Sequence, residues 1–379
     1  MEGSRTEQEA IMTSSSIARN ISLLRKERKL TQDQLAEFLG VTKASVSKWE
    51  TGQSYPDFPT LPRLATFFGV TVDELIGYEP QLSRDRIRTE CAALRQAFAT
   101  RGFDDAVAAA QALVRDYYSC YPLLAQVASV YVNHLDQAPG PQEREELISQ
   151  AVALCQRVRE HSSIPADIKM VNALESGLLL MQGRADDAAA LLEDTITPET
   201  GEAIILASAY KMQGQPDKAA AALQSTLMQA LALSVNTLAV MAADCAGDPT
   251  RLEETHRRTV ALMDAFDFEH VFLNAAASHL QFAQAFALAG NADRAFDCLN
   301  DYVRACRRME FPLRLHGDDF FDHLEEWADG LTSGDAAPRD DAAVKASLVA
   351  GVRDNPVLAG LADDPRFGCI VANLEELAR

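Results

Sequence analysis

The stretch from residue 31 to residue 50 constrains the fold more than any other part of this 379-residue chain. Thr31 stands where a helix N-cap belongs, and Gln34 follows at the spacing of a capping box. Leu35 then opens an apolar stripe at helical spacing. Gly40 supplies the left-handed conformation that commonly ends a helix. These signals predict one short helix followed by a tight turn.

A second helix is predicted directly after that turn. Thr42 can cap it, and Val46 and Trp49 fall on one side, where they can pack against the first helix. The opposite side carries short or basic side chains, which suit contact with base edges: Lys43, Ala44, Ser47 and Lys48. Two short helices joined by a tight turn form a helix-turn-helix, which places its second helix in the major groove of DNA.

The helical pattern extends over residues 16 to 78, where we predict five helices. The first runs from Ser16 to about Lys29, and the fourth contains an apolar run that Gly69 ends. A second capping box, of the form Thr-Val-Asp-Glu at residues 71 to 74, opens the fifth helix.

Residues 16 to 78 resemble the XRE family, the helix-turn-helix proteins of the lambda-type phage repressors. The resemblance covers about one sixth of the chain and is carried by three phrases. They are Leu-Arg-Lys-Glu-Arg-Lys-Leu-Thr-Gln-Asp-Gln-Leu-Ala, Ser-Val-Ser-Lys-Trp-Glu-Thr-Gly and Phe-Gly-Val-Thr-Val-Asp-Glu-Leu-Ile-Gly. It implies an N-terminal five-helix, lambda-repressor-like DNA-binding domain.

The same resemblance assigns roles to individual residues. Gln32 is expected to touch a phosphate and brace the recognition helix, and Thr42 and Ser45 are expected to contact the DNA backbone. The four outward residues of the second helix are expected to face base edges: Lys43, Ala44, Ser47 and Lys48. Arg25 stands where family members hold a salt bridge beside the DNA, here with Glu50. Arg25 therefore either contacts DNA or serves only as a fold-stabilising ion pair.

Charge is distributed unevenly along the chain. The net charge is −20, which repels phosphate, but residues 16 to 50 hold seven basic and four acidic residues. We therefore expect one positive face on an acidic body. The seven cysteines are scattered without a Cys-x-x-Cys pair, and the N-terminus lacks the order of a secretion signal. No apolar run is predicted to reach membrane-spanning length, so we expect a soluble, cytoplasmic protein with no membrane partner.

A Gly-x4-Ala signature recurs after residue 86. It pairs a turn glycine with a small residue that lets two helices cross closely, and it resembles the tetratricopeptide (TPR) repeat. The copies are Gly183 with Ala188, Gly214 with Ala219, Gly290 with Ala295, and a degenerate one with Arg101 and Ala106. The fold expected is all-α, with the DNA-binding domain followed by an α-solenoid of five to seven TPR-like hairpins between residues 86 and 310.

The domain boundaries follow from these patterns. We expect a flexible tail over residues 1–15, the DNA-binding domain over 16–78, a linker over 79–85 and the repeat domain over 86–330. Residues 331–379 are expected to form a flexible segment and capping helices that shield the last repeat. An acidic helix is predicted from His316 to Leu331.

The repeat domain is expected to bind a regulatory peptide or protein, including a second copy of the chain. In peptide-sensing relatives with this architecture, inward asparagines hold the peptide backbone. The corresponding candidates here are Asn133, Asn172, Asn236 and Asn274. The alternative is that each is a helix-surface asparagine without a ligand.

The function predicted is a sequence-specific transcriptional regulator that binds double-stranded operator DNA as a homodimer. The alternative is a TPR-type interaction scaffold whose helix-turn-helix is secondary or mediates protein contacts. No phosphate-binding loop, zinc-protease helix or nucleophile elbow occurs, so we expect no enzyme and no cofactor. The crowded histidines and aspartates at residues 316 to 323 are read as a solvated acidic turn, and no metal site is expected.

Overall fold

The computed structural model describes residues 17–78, 81–195, 201–271, 275–332, 334, 337 and 339–378. Its regular elements are helices, so the all-α prediction is confirmed. The chain divides into two compact units, with the boundary between Leu82 and Ser83. The predicted tail at residues 1–15, part of the predicted linker, and Asn274 lie outside the described residues.

The first unit has the five helices expected. They are α1 (17–27), α2 (Gln32–Leu39), α3 (Lys43–Glu50), α4 (Thr60–Phe68) and α5 (Val72–Ile76). Each helix contributes one side chain that is 0% exposed to a shared core: Ile21, Leu35, Val46, Leu64 and Leu75. The first helix is two residues shorter than predicted, because Lys29 takes a left-handed conformation with φ of 57°.

The second unit is built from pairs of consecutive helices. Within the described residues up to Arg308, five pairs occur: α6 (Arg84–Thr100) with α7 (Phe103–Asp116), α8 (Tyr121–Asn133) with α9 (Pro141–His161), α10 (Pro165–Met181) with α11 (Ala185–Leu192), α12 (Glu202–Met212) with α13 (Pro216–Asp244), and α16 (Ala275–Leu288) with α17 (Ala292–Arg308). Between the last two pairs lie α14 (Pro249–Ala265) and the short α15 (Phe268–Val271). The number of pairs agrees with the prediction of five to seven.

The alanines of the repeat signature lie where the paired helices cross. Their exposure does not exceed 4%: Ala106, Ala188, Ala219 and Ala295. In the degenerate copy the left-handed position belongs to Gly102, with φ of 89°, and Arg101 ends the preceding helix in a right-handed conformation.

One long helix follows Gly214. Helix α13 has 29 residues, and by length and composition it is apolar enough to cross a bilayer. The expectation that no run reaches that length was therefore wrong. Only 28% of its most apolar window is buried within the chain.

The predicted helix from His316 to Leu331 was wrong over its first half, because α18 begins at Leu324 (Leu324–Gly330). The Asp318 carboxylate accepts hydrogen bonds from the backbone N–H groups of Phe320 (2.9 Å) and Phe321 (2.7 Å). Such a local side-chain bond competes with the helix.

The C-terminal helices are α19 (Asp341–Arg353) and α20 (Pro365–Ala378). Val352 of α19 and Ile370 of α20 belong to the same hydrophobic core as Phe282 and Phe286 of α16. Helices α19 and α20 therefore pack on the core of the last helix pair.

The segment that includes α18 crosses several earlier helices. Arg84 donates to the carbonyl of Gly330 (2.9 Å), and Arg339 forms an ion pair with Asp136 (2.8 Å). Gln224 of α13 donates to Asp322 (2.7 Å). The chain itself thus occupies surface on α6, on α13 and near the end of α8.

Candidate DNA-binding site

Helices α2 and α3 are held in place by their caps. The Thr31 hydroxyl accepts the N–H of Gln34 (3.2 Å), and the Gln34 side-chain oxygen accepts the N–H of Thr31 (2.9 Å), which completes the predicted capping box. Gly40 has φ of 69° and ends α2. The Thr42 hydroxyl accepts the N–H of Ser45 (3.1 Å) and starts α3. At the turn, the backbone N–H groups of Gly40 and Val41 donate to the last carbonyls of α2, and the Thr42 side chain caps the start of α3.

The orientation of α3 follows from what it buries. Val46 is fully buried and Trp49 is 6% exposed, and both pack against the buried side of α2. Three members of the predicted outward set are exposed (Lys43, Ala44 and Lys48), and Ser47 is half-buried. The face directed to solvent is thus short and basic, as base contacts require.

The end of α3 is anchored by a buried ion pair. Arg25 Nε lies 2.5 Å from Glu50 Oε1, and Arg25 Nη2 lies 3.0 Å from Glu50 Oε2. Arg25 Nη1 also donates to the carbonyl of Leu30. Gln32 Nε2 donates to Glu50 Oε2 at 2.9 Å. The first helix, the start of α2 and the end of α3 therefore meet at one carboxylate.

The environment of Glu50 favours its charged form. Burial raises the pKa of the Glu50 carboxyl, but the hydrogen bonds from Arg25 and Gln32 outweigh burial and lower the pKa below its ordinary value. The hydrogen bond to Glu50 raises the pKa of the Arg25 guanidinium. The Arg25 and Glu50 side chains are only 12% and 6% exposed. This geometry supports the bracing role of Arg25 and Gln32, and their contacts with DNA stay predictions.

An ion pair that the sequence reading missed involves a proposed base-reading residue. Lys43 Nζ lies 2.7 Å from Asp33 Oδ2, and both side chains are more than 60% exposed. An exposed pair of this kind contributes only about 0.2–1 kcal/mol. Lys43 can therefore leave Asp33 at low cost when a phosphate or base competes for it. Asp33 and Lys43 lie in the first turns of α2 and α3, a relation that only the helix crossing reveals.

Replacing Asp33 with asparagine should strengthen DNA binding by about two- to fivefold. The change frees Lys43 and removes a negative charge beside the DNA-facing helix, while the exposed position leaves the fold intact. Fluorescence anisotropy on a labelled duplex measures the effect. The matched control is Asp73→Asn, at an exposed position in α5. Equal gains in both variants would show a general charge effect and contradict a specific role for Asp33.

The predicted asparagines do not share one environment. Asn133 of α8 donates to the carbonyl of Ser129 in its own helix (2.8 Å). The side-chain oxygen of Asn172 in α10 is buried without a hydrogen-bond partner. Asn236 of α13 is exposed. Their role in holding a ligand stays a prediction.

Over the described residues, no three His, Cys, Asp or Glu side chains are placed to hold a metal ion. Cys298 and Cys306 are buried, and burial raises the pKa of each thiol to about 12. Both thiols therefore stay protonated at neutral pH, as core cysteines do.

Residues 21–75 match a protein-family model described as a helix-turn-helix. The chain is 48% identical over 56 residues to the HTH-type transcriptional activator BcrR of Enterococcus faecalis. That alignment covers 15% of this chain and 28% of BcrR. It is 40% identical over 53 residues to the cryptic phage CTXphi transcriptional repressor RstR of Vibrio cholerae. That alignment covers 14% of this chain and 48% of RstR. The resemblance of the N-terminal domain to XRE-type regulators is thus confirmed.

A solved structure aligns with more of the chain. The apo form of ComR from S. thermophilus covers 78% of this chain and 95% of its own, at 14% identity and a TM-score of 0.28. The matches with these two relatives cover 56 and 53 residues and span less than two thirds of each of the two proteins.

Proposed function

We propose that this protein is a sequence-specific transcriptional regulator that binds operator DNA through α3. The observation that carries the proposal is the solvent-facing side of α3, which presents Lys43, Ala44, Ser47 and Lys48 from a rigidly capped helix-turn-helix. In this proposal Lys43 reaches guanine O6 and N7, and Ala44 meets a thymine methyl. Gln32, Thr42 and Ser45 hold the DNA backbone.

The charge distribution supports this orientation. Residues 83–379 contain 26 basic and 44 acidic residues, so the second unit repels DNA. The outward face of α3 carries two exposed lysines and no exposed acid. DNA is therefore attracted to the helix-turn-helix domain at residues 17–78, called the reading head below, and repelled by the second unit.

A single reading head contacts too few base pairs for useful specificity. A two-fold homodimer that reads half-sites about one helical turn apart supplies the rest. We propose that the second unit provides this dimerisation and also binds a regulatory peptide or protein. Its acidic excess favours a cationic ligand. A ligand that alters the spacing of the two heads needs a coupling free energy of about 1–3 kcal/mol to act as a switch.

The proposal places the protein in the cytoplasm, where operator DNA is accessible, and includes no catalytic step. A salt titration tests it against the scaffold alternative. The full-length chain should bind a mixed-sequence duplex with an affinity that falls about tenfold or more between 50 and 200 mM salt, because bound phosphates release counterions. No binding at 50 mM salt would favour the scaffold.

A further inference from the structure

The exposed side of α13 carries a regular stripe. Six exposed positions follow one another at alternating spacings of four and three residues. They are Thr226, Ala230, Leu233, Thr237, Val240 and Asp244. This spacing is the one at which two α-helices interlock side by side, with a crossing angle of about 20°. Leu233 and Val240 are 68% and 63% exposed, so apolar knobs of the stripe face solvent.

The stripe is free of charge except at its end. The stretch from Ala219 to Ala243 contains no charged residue. The hydroxyl groups on this side are already satisfied within the helix. Thr226 donates to the carbonyl of Ala222 (2.8 Å), and Thr237 donates to the carbonyl of Leu233 (2.8 Å). Burying the stripe against a partner would therefore leave no hydroxyl donor unpaired.

The stripe is not required for the chain's own packing. The opposite side of α13 is buried in two hydrophobic cores through Met228, Leu231, Val235, Ala239 and Ala242. That packing holds the helix rigidly and presents the stripe outward. Preorganisation of this kind lowers the entropy cost of association.

We propose that a second copy of this chain packs its own α13 against this stripe, antiparallel and about a two-fold axis. Two identical copies repel each other because the second unit has 44 acidic and only 26 basic residues. A long uncharged face is the surface on which such copies can meet without placing like charges together.

The direction of pairing follows from Asp244. A parallel pair would place the Asp244 carboxylates of both copies side by side, whereas an antiparallel pair separates them by most of the helix length. With the axis at the middle of the stripe, Leu233 faces Thr237 of the other copy, and the small Ala230 faces the larger Val240. Small against large is the match that interlocking helices need.

The hairpin partner α12 enlarges the available surface. A standard interface buries about 800 Å² per partner, more than the α13 stripe alone provides. Helix α12 packs against α13 and exposes four large apolar side chains: Ile204, Ile205, Leu206 and Met212. An α12–α13 hairpin that meets its symmetry mate therefore has apolar area on both helices to bury.

This inference deepens the proposed function, because it names the surface that joins the two DNA-reading heads. Sedimentation equilibrium on the full-length chain tests it. The unmodified protein should be a dimer at micromolar concentration. Leu233→Glu should weaken self-association by about 100-fold or more, because it places one carboxylate from each copy in the water-excluded centre of the interface. Its circular dichroism spectrum should not change, and its melting temperature should match that of the unmodified chain diluted until it is monomeric, because self-association itself raises the melting temperature.

Two further arms make the test specific to this face. Leu180→Glu introduces the same charge at a position of α10 that is 60% exposed, and should leave the dimer intact. Mixing the Leu233→Glu chain with a Thr237→Lys chain should restore a dimer, since the antiparallel register brings the introduced carboxylate of one chain against the introduced ammonium group of the other. Restoration would support the register, and its failure would contradict it.

Three results would overturn the proposal. They are a monomeric unmodified chain, a Leu233→Glu chain that dimerises as before, and flotation of the unmodified chain with phosphatidylcholine vesicles, which would assign the stripe to a bilayer. DNA binding is read separately on a single half-site. If the Leu233→Glu chain still binds a half-site, the DNA-binding proposal stands, whatever the result for the dimer.

Discussion

Replacing Lys43 and Lys48 together with alanine should reduce the affinity of the full-length chain for its operator by about 100-fold or more. Each well-made contact between a basic side chain and guanine contributes about 1–3 kcal/mol of discrimination, and both lysines lie on the outward face of α3. Both side chains are exposed, so stability should change by no more than about 0.5 kcal/mol. Anisotropy measurements at fixed salt give the affinities.

A matched control removes the same charge elsewhere. Arg144 and Lys169 are exposed on α9 and α10, and the variant with alanine at both positions has the same net charge as the α3 variant. The control should bind DNA within about threefold of the unmodified chain, because screening at physiological salt limits distant charges. Equal losses in the two variants would contradict the assignment of α3 as the reading helix.

Replacing Arg25 with methionine should destabilise the first unit by about 3–5 kcal/mol. The Glu50 side chain is only 6% exposed, and without its partner it would be a buried, uncompensated charge. A loss of this size is a large part of the 5–15 kcal/mol that stabilises a typical domain. The variant should therefore lose DNA binding through unfolding of the head.

The effect of Arg25→Met should depend on pH. In the unmodified chain the pKa of Glu50 lies below its ordinary value of 4.5, so its contribution to stability is present at neutral pH and is lost as the pH falls through that lowered pKa. In the variant, burial without Arg25 raises the pKa of Glu50, so protonation relieves the penalty. The stability difference between the two proteins should therefore shrink as the pH falls from 7 towards 4.5.

Urea unfolding followed by Trp49 fluorescence measures this difference. A Trp327→Phe background leaves Trp49 as the single tryptophan, so the signal reports on the first unit alone. The double variant Arg25→Met with Glu50→Leu serves as the control, because replacing both members of a buried pair with apolar residues is often neutral. A single variant as stable as the unmodified chain would show that the ion pair does not brace the head.

Local signals in the sequence predicted the reading head well. The capping boxes at Thr31 and Thr71, the turn at Gly40 and the inward Val46 are short-range features, set by hydrogen bonds and helical periodicity within a few residues. The structure reproduces them because nothing tertiary competes with them. The Arg25–Glu50 pair was accessible only through the family resemblance, since 25 residues separate its members.

Sequence reasoning missed three features, each for a different physical reason. Asp33 and Lys43 meet because α2 and α3 cross, and no local pattern encodes that distance. The predicted helix at His316 fails because the Asp318 carboxylate binds backbone N–H groups that a helix would need. The length of α13 was hidden by its polar Ser, Thr, Gln and Asn residues, which interrupt the apolar sequence without breaking the helix.

An in vitro DNA selection with the full-length protein at near-physiological salt tests the central claim most directly. The account predicts enrichment of an inverted repeat whose half-sites lie about 10 base pairs apart, and loss of that enrichment in Lys43→Ala. The same selection with residues 1 to 80 should recover single half-sites at most. No enriched sequence from either protein, under salt conditions where the unmodified chain is folded, would contradict a sequence-specific reading head.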